Sequence, residues 1–355
     1  MVGSDGALPL PWLAEPLQRG LQRSAHALLV HGPEGVGQFE LALTLAQAWL
    51  CEAPAAASDR RKPCGACGSC RLVQAHSHPD LLVLLPDALR EALGWFAAGD
   101  DEAGAPEKVG KAKPSKEIKV EAVRIAVAFA QTTSARGRGK VVVLHPAERM
   151  NAIAANTLLK TLEEPPGQAR FLLSCSMPDA LLPTIRSRCQ ALPLGLPPRA
   201  IAIDWLATRG VADAAVLLAA CGGRPLQALQ WSEEGIGAGV WMQMPALLAR
   251  GEATPFMTWP LPRLVEALQK VCHDALCVAS GSGPRYFPPG SIPGGSAVAT
   301  LSQWGRELSR IADHAEHPWS AGLMVESLIE SARAALTPAA RGGRRGGSNS
   351  LHLRP

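Results

Sequence analysis

The segment His31-Gly32-Pro33-Glu34-Gly35-Val36-Gly37-Gln38-Phe39 carries the glycine spacing of a phosphate-binding loop. In a G-x-x-x-x-G-K-[ST] loop the backbone N–H groups wrap phosphates, the lysine meets the β/γ-phosphates, and the hydroxyl holds Mg²⁺. Gly32, Gly35 and Gly37 preserve the cradle, but Gln38 stands at the lysine position and Phe39 at the hydroxyl position. Glutamine carries no charge, and phenylalanine cannot bind a metal. A second position points the same way. The run Lys140-Val141-Val142-Val143-Leu144 reads as a β-branched strand, and in P-loop ATPases such a strand ends in Asp, often followed by Glu, to hold Mg²⁺ and orient the attacking water. Here His145 and Pro146 follow. A glycine turn between strand and helix also occurs in α/β proteins that never meet a nucleotide, so the loop alone leaves a disabled NTPase site and a plain turn both open.

A second set of chemically competent residues is cysteine. Of nine cysteines, Cys51, Cys64, Cys67 and Cys70 cluster, while others such as Cys175, Cys221 and Cys272 are scattered through apolar surroundings, where thiols pack as small hydrophobes. The small residues inside Cys64-Gly65-Ala66-Cys67-Gly68-Ser69-Cys70 permit a tight turn that aims three sulfurs at one ion, and Cys51 can complete a tetrahedron. This pattern predicts a structural zinc. An iron–sulfur cluster fits less well, because Arg71-Leu72-Val73 replace the continuation that bacterial ferredoxins use. Redox-active or unliganded thiols are the third alternative.

These groups need a scaffold, and the elements supply one. Ala27–Val30, Leu81–Leu85, Lys140–Leu144 and Phe171–Cys175 read as short buried strands. Helical patterns lie between them over Glu40–Leu50, Glu121–Gln131 and Asn151–Glu164, the last with Asn151 as its cap and Pro165-Pro166-Gly167 as its stop. Alternation of this kind over about the first 190 residues predicts an α/β core with a parallel sheet covered on both faces. Residues 99–116 mix Gly, Pro, Asp, Glu and Lys, which predicts a mobile surface insertion. Beyond residue 193 only helices are expected, including Ala200–Arg209, Val211–Cys221, Arg263–Ala279 and Ala297–His314, and the Gly/Arg-rich end is expected to be disordered.

At 355 residues, 47% hydrophobic, the chain has enough material for two or three domains. The N-terminus lacks a basic segment leading into an apolar signal core, and no apolar stretch reaches bilayer length, so a cytoplasmic location is expected. A net charge of +4 permits nucleic-acid binding without establishing it, and one Tyr with six Phe argues against a base-stacking platform.

The string Asn156-Thr157-Leu158-Leu159-Lys160-Thr161-Leu162-Glu163-Glu164-Pro165-Pro166 is highly specific. With Phe171-Leu172-Leu173 and Thr184-Ile185-Arg186-Ser187-Arg188-Cys189 after it, the chain closely resembles the bacterial clamp loader subunits of the AAA+ class over most of residues 8–235. In that group the ATPase subunit (tau/gamma) and the delta-prime subunit of DNA polymerase III both carry such strings and a four-cysteine zinc module. The ATPase type has an intact lysine and Asp-Glu pair. Gln38, Phe39, His145 and Pro146 place the resemblance with the delta-prime type instead.

The resemblance implies an AAA+ P-loop-type core with the zinc module (1–192, cysteines within 51–70), a helical lid (193–235), an all-α collar (236–336) and a disordered tail (337–355). It assigns Arg188 to an arginine finger acting in trans, with Arg186 less well placed; Arg224 falls where AAA+ lids sense nucleotide, but with the rest of the pocket disabled a structural role, or none, is expected of it. It implies a chain that binds no ATP itself and is not an enzyme in isolation, although it belongs to a polymerase holoenzyme. The implied partners are the clamp loader ATPase subunit (tau/gamma) and the delta subunit in a hetero-oligomeric ring, with the sliding clamp and primed DNA reached through the complex. Two rivals are an active clamp loader ATPase and a zinc-stabilised DNA-binding protein that retains the fold.

Overall fold

The computed structural model describes residues 1–54, 62–90, 92–95, 114–313 and 321–337. They form two compact units, residues 1–210 with 223–229, and residues 211–222 with the chain from 230 onward.

The first unit is built on five parallel strands, β1 (Ala27–His31), β2 (Leu81–Leu84), β3 (Val141–Leu144), β4 (Arg170–Cys175) and β5 (Gln190–Pro193), in the order β2-β3-β4-β1-β5. This is the AAA+ arrangement, with β1 held between β4 and β5. Its helices are α1 (Ala14–Leu21), α2 (Gln38–Leu50), α3 (Gly68–Gln74), α4 (Asp87–Arg90), α5 (Val120–Gln131), α6 (Ala152–Glu163), α7 (Pro183–Arg186) and α8 (Arg199–Thr208). The inner strands β1, β3 and β4 are mostly apolar because both faces are covered, which removes the polar alternation of a one-sided sheet. Ala27, Leu29, Val142, Leu144, Phe171 and Leu173 pack with α5 and α6 in one core. Leu28, Val30, Val141, Val143 and Leu172 alternate to the opposite face, and α2, buried almost all round, packs on β1, β3 and β4.

Asn151 caps α6, its side chain accepting from the Ala154 N–H at 2.9 Å, and Leu158 and Leu162 are buried as the spacing predicts. The sequence pattern did not predict α1, α3, α4, α7 or β5 in the first unit. β5 is an edge strand on which only Leu192 is buried, so Gln-Ala-Leu-Pro carries no hydrophobic run, and its proline is tolerated there because an edge leaves one N–H side unpaired. The short α4 follows directly on β2. The insertion lies largely outside the described residues, as do 55–61, the residues after Asp313 up to 320, and almost all of the Gly/Arg tail.

The second unit contains α9 (Ala214–Ala220), most of its remainder being α11 (Ala238–Arg250), α12 (Leu261–Ala279), α13 (Val298–Ala312) and α14 (Ala321–Leu336); α10 (Pro225–Glu233) crosses the division. Helix α9 begins three residues later than the pattern Val211–Cys221 predicts. Buried Asp274 on α12 accepts from the backbone N–H groups of Arg285, Tyr286 and Phe287 at 2.7–2.9 Å, which pins the loop after the helix. Lys270 is 6% exposed, pairs with Glu266 at 2.9 Å, and lies over Trp231 at 4.7 Å, so its charge is compensated inside the helical core. No helix among the described residues is long and apolar enough to cross a membrane.

Candidate functional site: a glycine loop, a thiol cluster and an anchored arginine

The glycine loop joins β1 to α2 at the carboxyl edge of the sheet, where parallel α/β sheets place their ligands. Gly37 caps α2 with φ +103°, and a Cβ there would stand 2.4 Å from Leu10 Cδ1. At Gly32 a Cβ would meet the Leu194 carbonyl oxygen at 1.9 Å, because the chain leaving β5 presses on the loop. Backbone geometry and close approach therefore require these glycines, whatever the loop binds. Trp12, which the sequence did not single out, donates its indole N–H to the Val36 carbonyl at 2.8 Å and braces the loop, its ring edge against Trp205.

Gln38 does not reach outward. Its Nε2 donates to the Gly32 and Pro33 carbonyls at 2.6 and 2.7 Å, so the loop satisfies its own polar groups. Phe39 is 6% exposed and stacks on His145, centroids 4.6 Å apart and planes 21° from parallel. His145 Nδ1 lies 3.0 Å from Ser174 Oγ. Because that hydroxyl donates to the Leu144 carbonyl at 3.3 Å, the network assigns the imidazole proton to Nδ1. Burial pushes the His145 pKa down to about 4, with Glu148 opposing, so the ring is neutral at physiological pH. The structure thus brings the four residues at the degenerate positions to one place: Gln38, Phe39, His145 and Pro146 all line a cavity of about 250 Å³.

The cavity's charge is unfavourable to phosphate. Glu34, Glu40 and Glu148 line it, while Arg149 is the one Lys or Arg among the described lining residues, and it is exposed. Burial raises the Glu40 pKa, its own backbone N–H and the N-terminal ammonium opposing. Glu148 Oε1 accepts from Ser176 N and Oγ, both at 2.7 Å, and fastens the end of β4. Arg224 sits beside the loop: a Cβ on Gly35 would lie 3.4 Å from Arg224 Cβ, and Leu226 N donates to the Gly35 carbonyl at 3.1 Å.

The four cysteines converge as expected. Cys51 caps the end of α2, Cys67 caps the start of α3, Cys70 lies in α3 and Cys64 in the turn before it. Their sulfurs all lie within 4.8 Å of one another, a set able to hold a metal ion. The Cys67 N–H points at Cys64 Sγ (3.3 Å) and the Cys70 N–H at Cys67 Sγ (3.4 Å), contacts that favour thiolates. Burial opposes ionisation of Cys64, but backbone N–H groups outweigh it and bring the thiol down to about 7. Burial raises Cys51 and, with neighbouring sulfurs, Cys70. The scattered Cys175, Cys221 and Cys272 are buried core residues.

Sequence inspection missed how this cluster is fastened to the sheet. Arg136 grips Glu52 with two bonds of 2.7 and 3.0 Å and donates to Ser69 Oγ at 3.1 Å. The Arg136 bond holds the Glu52 carboxyl down at about 2. Ser69 Oγ also meets His78 Nε2 at 3.1 Å, and buried Asp80 pairs with Lys140 at 3.0 Å just before β3. Asp80 is desolvated, yet the N–H groups of Ala135 and Arg136 and the Lys140 ammonium keep it at about 2.

Arg188 follows α7. Its Nε donates to Glu163 Oε1 at 2.7 Å, Nη2 donates to the same oxygen, and Nη1 donates to the Thr184 carbonyl at 2.9 Å. Arg186 is anchored separately on Asp179.

Comparison with known proteins decides the family. The model described as "DNA polymerase III, delta subunit" matches residues 13–197, more than half of the chain. The delta-prime subunit of DNA polymerase III from Escherichia coli is 31% identical over 283 residues, 73% of this chain and 76% of that protein. The chain belongs to the DNA polymerase III delta-prime family. The delta-prime protein of Pseudomonas aeruginosa is 39% identical over 222 residues, 61% of this chain and 58% of its own length. The tau subunit of E. coli is 33% identical over 189 residues, 53% of this chain and 24% of tau. For the first three curated relatives the match spans 58%, 51% and 62% of their lengths.

Proposed function

We propose that this chain is a non-hydrolysing stator of the DNA polymerase III clamp loader, which joins tau/gamma and delta subunits in a ring and supplies Arg188 to the ATP site of its neighbour. The observation that carries this reading is the pairing of a pocket whose phosphate- and metal-binding positions hold Gln38, Phe39, His145 and Pro146 with an accessible, oriented arginine. ATP brings several negative charges and Mg²⁺. In this pocket the amide of Gln38 is committed to loop carbonyls, the Phe39–His145 stack occupies the metal-ligand positions, and the nearby carboxylates repel phosphate. Arg188 is different: its planar, permanently charged fork suits the charge that spreads over the γ-phosphate oxygens during transfer.

In this reading the chain contributes to a neighbour's chemistry and has none of its own. Residues 1–192 form the core, 193–235 the lid and 236–336 the collar that joins the ring. Clamp loading onto primed DNA is an activity of the whole complex, in the cytoplasm. The cysteine site is a zinc module. A tetrahedral site with Zn–S bonds of about 2.3 Å has sulfur–sulfur edges of about 3.8 Å, and the Cys51–Cys67 and Cys64–Cys70 separations of 3.9 Å support that fit. Zinc bound there supplies a structural cross-link between the end of α2 and α3, with all four positions filled by protein.

Equilibrium titration of the purified chain with Mg-ATP, combined with co-purification with the tau/gamma and delta subunits, tests the proposal. Assembly without nucleotide binding is expected. Saturable Mg-ATP binding with turnover, or failure to assemble, would contradict it.

A further inference from the structure

The long side chain of Arg188 is fixed from two directions. Glu163, the last residue of α6, takes the Nε–H and one Nη2 proton on a single oxygen, while Thr184 and Ser187, from α7 and the residue after it, take Nη1 at 2.9 and 3.4 Å. Among the described residues the second Nη2 proton has no acceptor. The pair is not part of the core, since the Arg188 and Glu163 side chains keep 29% and 46% of their exposure. Ion pairs this exposed add little to stability, so the arrangement needs another explanation. Arg186 offers a contrast: it is held within its own segment, on Asp179 and the Pro178 carbonyl, and among the described residues no hydrogen bond or ion pair ties it to α6.

We propose that Glu163 is the positioning residue of Arg188. The inference rests on the reading that Arg188 acts on a neighbouring ATP site. A free arginine samples many rotamers and must be ordered when it is used, which weakens the stabilisation it can deliver. Glu163 removes that disorder beforehand by clamping the Nε edge of the fork, and leaves one Nη2 proton without an acceptor among the described residues. A carboxylate suits this task better than an amide because hydrogen bonds between ionised groups are shorter and stronger than neutral ones. The fixed distance between the end of α6 and α7, set by the proline turn and β4 between them, decides where the fork points.

The test is a double-mutant cycle in the reconstituted loader, reading DNA- and clamp-stimulated ATPase for Arg188→Ala, Glu163→Ala and both together, with Glu163→Gln as the conservative variant. Glu163→Ala is expected to lower kcat on the order of tenfold with KM for ATP unchanged. Glu163→Gln, which keeps an acceptor oxygen, should fall between it and the parent. In the Arg188→Ala background Glu163→Ala should cost nothing more. In the full chain alone, the ¹⁵N-edited Nε–H signal of Arg188 should be protected in the parent and lost in Glu163→Ala. Normal or raised turnover in Glu163→Ala while Arg188→Ala is slow, additive losses in the double variant, or an unchanged Nε–H signal would each overturn the positioning role but leave the finger intact. Normal turnover in Arg188→Ala would overturn both.

Discussion

Replacing Phe39 with threonine restores the residue type that holds Mg²⁺ in an active loop, and the structure gives the cost. The ring is 6% exposed and stacks on His145 at 4.6 Å. Truncating a buried phenylalanine commonly costs about 3–5 kcal/mol, and an aromatic pair contributes about 0.5–1.5 kcal/mol beyond its area. The adjoining cavity of about 250 Å³ lets water reach a new hydroxyl, which moderates the penalty. Phe39→Thr is therefore expected to destabilise the first unit by about 3 kcal/mol, a fall of about 6–12 °C in its thermal midpoint for a unit of this size. Circular dichroism melting reads the shift. Proton NMR adds an independent readout, because losing the ring exposes His145, whose pKa should rise from about 4 toward its ordinary value. A variant within 1 kcal/mol of the parent, with His145 titrating unchanged, would show that the ring is not part of the packed interior and would refute the reasoning.

Further outcomes follow from the same contacts. Because the folded-state pKa of His145 is depressed, unfolded chain binds the proton first as pH falls; stability tied to this ring is whole above about 6.5, declines below it, and is fully lost near 4, by up to about 3 kcal/mol. Comparing unfolding free energies of the parent and His145→Asn across that window checks it, and parallel pH profiles would contradict it. Elemental analysis should find one zinc per chain, lost in Cys67→Ser with Cys70→Ser, and chelation should lower the stability of the first unit; zinc retained by the double variant would exclude these thiols as ligands. Arg136→Ala frees Glu52 from the bond that holds it at about 2 and loosens the module from the sheet edge. Zinc transfer to a chelator should accelerate by about tenfold, the scale of outer-contact losses at metal sites, and an unchanged rate would show that the clip does not support the thiols.

What the sequence disclosed depended on the distance between cause and effect along the chain. The strand at Val141–Leu144 and the Asn151 cap are local signals, written in β-branched residues and in one side chain, and both are present. The cysteine spacing is nearly local, and its four thiols converge. β5 has almost no local signal, since its pairing with β1 makes it a strand. The contacts that give the sites their character lie further apart. Glu52 and Arg136 are 84 residues apart, and Glu163 and Arg188 are 25 apart. The residues Gln38, Phe39, His145 and Pro146 were visible one by one, but the stacking of Phe39 on His145 was not, because the sheet order brings the ends of β1 and β3 to one edge.

The central claim, that a chain without the lysine and metal ligands of a nucleotide pocket acts on its neighbour's ATP, is tested most directly by the stimulated ATPase of a loader carrying Arg188→Ala. The variant should assemble normally. Removing a finger costs about 10³–10⁵ at a single site in other phosphoryl-transfer systems; with only the adjoining site affected, total hydrolysis should fall partially and clamp loading further. Arg188→Lys should not fully restore either, since a point charge cannot reproduce the planar fork. A loader with Arg188→Ala that hydrolyses ATP and loads clamps at the parent rate would contradict the claim.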